Sequence, residues 1–321
     1  MPALALLATG AAVVNALVYR LVLPLLVSQK VTLPAVLLWC APFSLNLTAA
    51  AGLVALGVSV VDLTRARWLA DMSRRLLIAF LTCIVLSTLV FATFLPAGRV
   101  NPQQVLVAAG ALHTLNIQLA ITIFRALSSL ACRTTLGLLA ASSVFPLASL
   151  LLSNLPSTQG MPLDGSASLH GLGELAFLLV PLAAAFVVVP WGDTQAERNA
   201  RRAGAVAVAV MALAFAAAAR LPHEVYGHLL YSSLRLEWAL ERASIGYVVP
   251  VSLAVGAATS ALVSRDRRHR QGGAGLWLWL AGGYNPLTPA RILMTALAAM
   301  LLCRAVLTLG QLRGASTPPA S

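Results

Sequence analysis

Glu224, His228, Tyr231, Arg235 and Arg242 follow one another at intervals of four, three, four and seven residues. That spacing puts all five within about 60° of one another on an α-helix. An acid, an imidazole and a phenol on one face can share and pass protons, and Glu224 and His228 form an i,i+4 couple suited to it. Val225, Leu229, Leu236 and Leu240 occupy a separate apolar stripe, so Leu221–Ser244 reads as an amphipathic helix between two spans. The polar stripe is equally what an interfacial helix turns toward water, and both readings stay open. His223 and His228 stand five apart, about 140° around a helix, whereas the zinc-protease pattern needs a spacing of four. No metal site is expected.

A second set of polar residues interrupts apolar runs. Glu174 opens an apolar stretch, where the positive end of a helix favours a carboxylate. Its chemical alternative is a proton donor near the membrane surface. His113 and Asn116 share a helix face at i,i+3, with Gln118 about 140° from His113. They read as interhelical hydrogen-bonding groups or as the lining of a pocket. Arg304 lies within the last apolar run and requires a carboxylate, a carbonyl or a route to the interface. Cys40, Cys83, Cys132 and Cys303 are scattered singly, so no CxxC pair exists and they read as small buried hydrophobes.

The elements that must hold these residues are membrane helices. The chain is 59% hydrophobic and 10% charged, with a mean hydropathy of +0.86, whereas a soluble domain carries about 25% charged residues. The fold class is therefore all-α, a single polytopic bundle of eight or nine transmembrane helices over residues 1–310, followed by a polar tail over 311–321 that reads as disordered. Apolar runs fall at Met1–Val27, Leu33–Val61, Leu76–Leu95, Val105–Phe124, Leu136–Ser153, Leu175–Val189, Ala203–Ala219, Ile245–Val263 and Ala290–Leu309. Met1–Val27 lacks a basic amino-terminal region and reads as a retained span. Asn154–Gly173 reads as a long Ser/Gly/Pro loop. Gly275–Gly283 alternates Leu with Trp277 and Trp279 and is too short to cross alone, which predicts an interfacial or re-entrant piece.

The formal charge of +12 sits in short arginine clusters between apolar runs. That pattern anchors a protein at lipid head groups and does not call for nucleic acid. Thirteen basic residues follow even-numbered spans and five follow odd-numbered ones, which predicts a cytosolic amino terminus. The bilayer and an apolar small molecule are the partners expected. The localisation expected is multi-pass integral membrane, in the endoplasmic reticulum if the source is eukaryotic. No GxxxxGK[ST] motif is present, which excludes a P-loop pump in this chain. No aspartate-rich pair of the NDxxD type is present either, which counts against a magnesium-dependent prenyltransferase.

Ala111–Ser129 (ALHTLNIQLAITIFRALSS), His223–Trp238 (HEVYGHLLYSSLRLEW) and Gly282–Leu293 (GGYNPLTPARIL) lie in a small polytopic chain with few acids. In architecture this resembles the membrane-embedded terpene cyclases of fungal indole-diterpene and meroterpenoid clusters. The resemblance implies a membrane-bound cyclase, or a related lipid-modifying enzyme of secondary metabolism, acting on a polyprenyl or terpenoid substrate by protonation-initiated carbocation chemistry without a cofactor. A carboxylic acid in apolar surroundings suits the first step, and aromatic faces stabilise the cation. Glu224 and Glu174, with His228, are the catalytic candidates. His113, Asn116, Tyr226, Tyr231, Arg235 and Trp238 are the substrate-binding candidates. A transporter or exporter of a small apolar metabolite, and a non-catalytic membrane scaffold, are the readings from other classes.

Overall fold

The computed structural model describes residues 50–58, 71–94, 102–125, 127, 129–154, 164–218, 237–283 and 288–315, with positions 7, 10, 11, 14 and 47 before them. All regular structure among these residues is helical. The principal elements are α1 (Asp71–Phe94), α2 (Pro102–Phe124), α3 (Leu130–Asn154) and α4 (Asp164–Val188). They are followed by α5 (Gln195–Ala218), α6 (Glu237–Val263), α7 (Arg267–Gly283) and α8 (Thr288–Ala315). Four helical stretches are long and apolar enough to cross a membrane: Val107–Phe124, Leu130–Leu152, Ser168–Val188 and Arg291–Gln311. Val248–Val263 in α6 is apolar but shorter.

α8 is the axis of the bundle. Its apolar stretch is 83% buried, against 28–44% for the other three, because it packs against α1, α2, α3, α4 and α7 at once. The residues it buries are mainly small or flexible, Ala296, Ala298, Ala299 and Ala305 beside Leu297, Leu301 and Leu302. Short side chains let several helices approach one axis closely. The outer helices turn Leu151, Phe186, Val206, Val210 and Leu213 outward, each about half exposed or more. In water such faces would be a liability, and against lipid they are the solvated surface.

α7 lies inside the protein, which argues against the interfacial alternative for Gly275–Gly283 and leaves the re-entrant one. Leu276, Leu278 and Trp279 are wholly buried, and the Leu/Trp alternation that looks extended is wound into a helix. Glycine makes this possible at Gly273, where a Cβ would lie 2.5 Å from the backbone N of Leu262 and 2.8 Å from the carbonyl of Ala258 in α6. On another face Gly272 meets Ala305, Gly275 meets Ala298 and Leu302, and Gly282 meets Met294 and Thr295. Residue numbers rise along α7 as they fall along α8, so the two helices are antiparallel. α7 has 17 residues, about 25 Å of helix, so it is shorter than a full crossing.

Pro181 dictates how α7 docks on α4. A proline has no N–H, so the carbonyl four residues earlier, that of Phe177, loses its helical donor. The indole Nε1–H of Trp279 donates to that carbonyl at 3.0 Å, and the indole stacks on the Phe177 ring with centroids 4.5 Å apart. α5 and α6 make a second close pair. A Cβ on Gly204 would lie 2.6 Å from the Gly256 carbonyl, and one on Gly256 would lie 2.9 Å from the Gly204 carbonyl.

The polypeptide connections 125–129, 189–194 and 264–266 gather at one end of the bundle. Gly310 near the end of α8 abuts Leu127 and Cys132. Gly272 near the start of α7 abuts Val188 at the end of α4, and His269 Nδ1–H donates to the Val188 carbonyl. Arg201 donates to the carbonyls of Pro190 and Gly192, and Arg133 donates to the Leu127 carbonyl at 2.7 Å while lying over the Phe124 ring. Exposed Arg202, Arg265, Arg267, Arg268 and Arg270 belong to this end.

Three boundaries differ from expectation. The loop read at Asn154–Gly173 is helical from Asp164 onward. The stretch between the apolar runs Leu175–Val189 and Ala203–Ala219 becomes helix at Gln195, because Thr194 and Glu197 form a capping box. The last part of Leu221–Ser244 is continuous with the following span, as α6 begins at Glu237. The first two spans lie almost wholly outside the described residues.

Candidate functional site

At the end of the bundle away from the arginines, α2, α3, α4 and the start of α8 bring polar side chains together. α2 contributes His113 and Asn116, one turn and about 4.5 Å of rise apart. The Asn116 Nδ2–H donates to Ser143 Oγ of α3 at 3.0 Å, with both residues buried. The Asn116 Oδ1 and His113 Nδ1 atoms are buried and have no hydrogen-bond partner among the described residues.

α3 contains Pro146, which removes the N–H that the Ser142 carbonyl would otherwise use. Against this proline α4 places Gly173, where a Cβ would sit 2.6 Å from Pro146 Cγ and Cδ. Glu174 is the next residue. Its Oε1 lies 3.2 Å from His170 Nε2 one turn earlier, with 23% of the Glu174 side chain and 53% of the His170 side chain exposed. Arg291, half-buried at the start of the α8 apolar stretch, is within electrostatic reach of both Glu174 and His113. His170 is within reach of His113.

Glu174 therefore does not cap a helix. It lies ten residues beyond Asp164, where helix α4 starts, and the effect of the helix dipole fades within the first turn. What offsets a carboxylate there is the Arg291 guanidinium, with His170 beside it. The pair adds no net charge to an apolar bundle, the condition under which intramembrane ions are tolerated. One turn after Glu174, Phe177 presents the stacked Phe177–Trp279 pair. An acid and an imidazole are thus in contact on α4, with the Arg291 guanidinium and His113 within electrostatic reach. Such a set can move a proton and hold a polar group on an otherwise apolar molecule.

Of the residues picked from sequence, His113, Asn116 and Glu174 come together here. Glu224, Tyr226, His228, Tyr231 and Arg235 lie outside the described residues, and Trp238 lies in the first turn of α6. Gln118 is half-buried, and its backbone carbonyl accepts from Thr122 Oγ1. Arg304 is exposed, so it has its route to the surface. Sequence reasoning missed His170, Ser143 and Arg291. His170 was legible only as an i,i+4 partner of Glu174, and the segment did not read as helix. Among the described residues no three potential metal-ligating side chains gather. Comparison of the chain with family models, with characterised proteins and with solved structures returns no match.

Proposed function

We propose that the chain is a multi-pass integral membrane protein, an enzyme acting on an apolar isoprenoid-type substrate by acid–base chemistry at the His113–Asn116–Glu174 site. The observation that carries this reading is the contact of Glu174 with His170, together with the buried His113 Nδ1 and Asn116 Oδ1 atoms that have no partner among the described residues, within helices apolar enough to face lipid. A polyprenyl chain reaches such a site from the bilayer without crossing water. The Glu174–His170 couple gives a proton to an epoxide oxygen, the C–O bond breaks, and the electron pair goes to the oxygen. The alkenes of the same molecule then close on the carbon cation, and loss of a proton from the last cation returns one to the couple. The reaction is an isomerisation, so atoms and electrons balance within the substrate.

The test is turnover of epoxidised prenyl compounds by purified protein in nanodiscs, with and without EDTA. Glu174→Gln keeps size and hydrogen bonding but can no longer exchange a proton with His170, so product formation falls roughly 10²–10⁴-fold at unchanged protein yield. Turnover at the wild-type rate in that variant removes Glu174 from the chemistry. Absence of product from the wild-type protein, together with uptake of an apolar metabolite into vesicles, replaces the enzyme by a transporter.

A further inference from the structure

Asn116 and His113 ask for more than an apolar chain. The amide of Asn116 satisfies Ser143 with its Nδ2–H and leaves Oδ1 buried without a partner among the described residues. One turn earlier on the same face His113 Nδ1 is buried and likewise unpartnered among them. A buried polar atom left alone is costly, and two of them one turn apart on one helix face make a polar spot a few atoms wide. A neutral imidazole can carry its proton on either ring nitrogen. With the proton on Nδ1, the spot offers one donor and, at Asn116 Oδ1, one acceptor. Turning the amide exchanges its oxygen for its NH2, and the other imidazole tautomer restores the same complement. A hydroxyl matches this in either setting, since it donates one hydrogen bond and accepts another. An ether oxygen or an alkene does not.

We infer that His113 and Asn116 form a subsite that seats the hydroxyl group of an otherwise apolar ligand, a long-chain lipid alcohol. This deepens the proposed function and rests on its premise that an apolar molecule enters between α2, α3, α4 and α8. Ser143 is the positioning residue, holding the Asn116 amide. The alcohol oxygen lies between His113 and Asn116, with the hydrocarbon chain running along the apolar helices.

The experiment compares the affinity of the full chain in nanodiscs for geranylgeraniol and for its methyl ether, which keeps the acceptor and removes the donor. The alcohol binds at least roughly tenfold more tightly than the ether, the loss expected from stranding a buried acceptor. Equal affinity, or no binding of either, overturns the subsite. In Asn116→Leu the preference disappears while chain binding persists. In Ser143→Ala, which keeps Asn116 but releases its amide, the preference narrows without disappearing; complete loss there together with retention in Asn116→Leu also overturns the assignment. The wild-type comparison stands without any variant folding. Product from epoxides without preference for the alcohol removes the subsite and leaves the enzyme. Preference for the alcohol without product from any epoxide removes the enzyme and leaves the subsite.

Discussion

Proline in α4 imposes a requirement on a residue nearly a hundred positions away. The Phe177 carbonyl, deprived of its donor by Pro181, is satisfied by the indole N–H of Trp279. Trp279→Phe keeps most of the stacking but leaves the carbonyl buried and unpaired, which costs about 1–3 kcal/mol. In a Pro181→Ala background the helix supplies its own N–H, so the same Trp279→Phe change costs much less. Thermal unfolding in detergent of the two single variants and the double variant measures the difference. Equal losses in both backgrounds would show that the indole contributes packing alone.

Among the elements, α5 shows most plainly how local chemistry starts a helix. Thr194 donates its backbone N–H and its hydroxyl to Glu197 Oε2, and accepts from the Glu197 backbone N–H. The hydroxyl bond first, and the backbone bond second, hold the Glu197 carboxyl below its usual value of 4.5. A carboxyl lowered in the folded state contributes stability that is present above its unfolded pKa and is lost as pH falls through the folded one. Thr194→Ala therefore lowers the unfolding temperature at pH 7, and the gap from the wild type narrows as pH falls below 4.5. A gap independent of pH would show that the carboxylate is not part of the cap. By contrast α4 begins without so clear a signal: Asp164-Gly-Ser-Ala-Ser-Leu-His170 is rich in residues typical of turns.

For the whole molecule, the connections rich in arginine meet at one end and the Glu174–Arg291 site lies toward the other. Positive residues are retained on the cytosolic side during insertion, so the expected orientation puts Arg265–Arg270 in the cytosol and residue 165 in the opposite compartment. A cysteine introduced at position 165 is modified by an impermeant reagent from outside, in a background where the four native cysteines are replaced. One introduced at position 268 is modified only from the cytosolic side. Modification of position 165 from the cytosol alone would invert the molecule.

Hydropathy and charge were enough to predict an all-α chain of apolar helices, because a long apolar run depends only on local composition; of the eight or nine spans read from sequence, four helices long and apolar enough to cross a membrane are present among the described residues. The same patterns also marked His113, Asn116 and Glu174, since a polar side chain in an apolar run is conspicuous wherever it packs. Other features needed the tertiary structure. That Glu174 answers to Arg291 and His170, that Asn116 finds Ser143, and that the Leu/Trp alternation of Gly275–Gly283 is buried helix all depend on which helices are neighbours. Neighbourhood is set by close approaches such as Gly273 on α6 and Gly173 on Pro146. A glycine in a sequence does not declare which backbone it will meet. The partner of a buried polar atom is fixed by packing between residues far apart in the chain, and no local pattern encodes it.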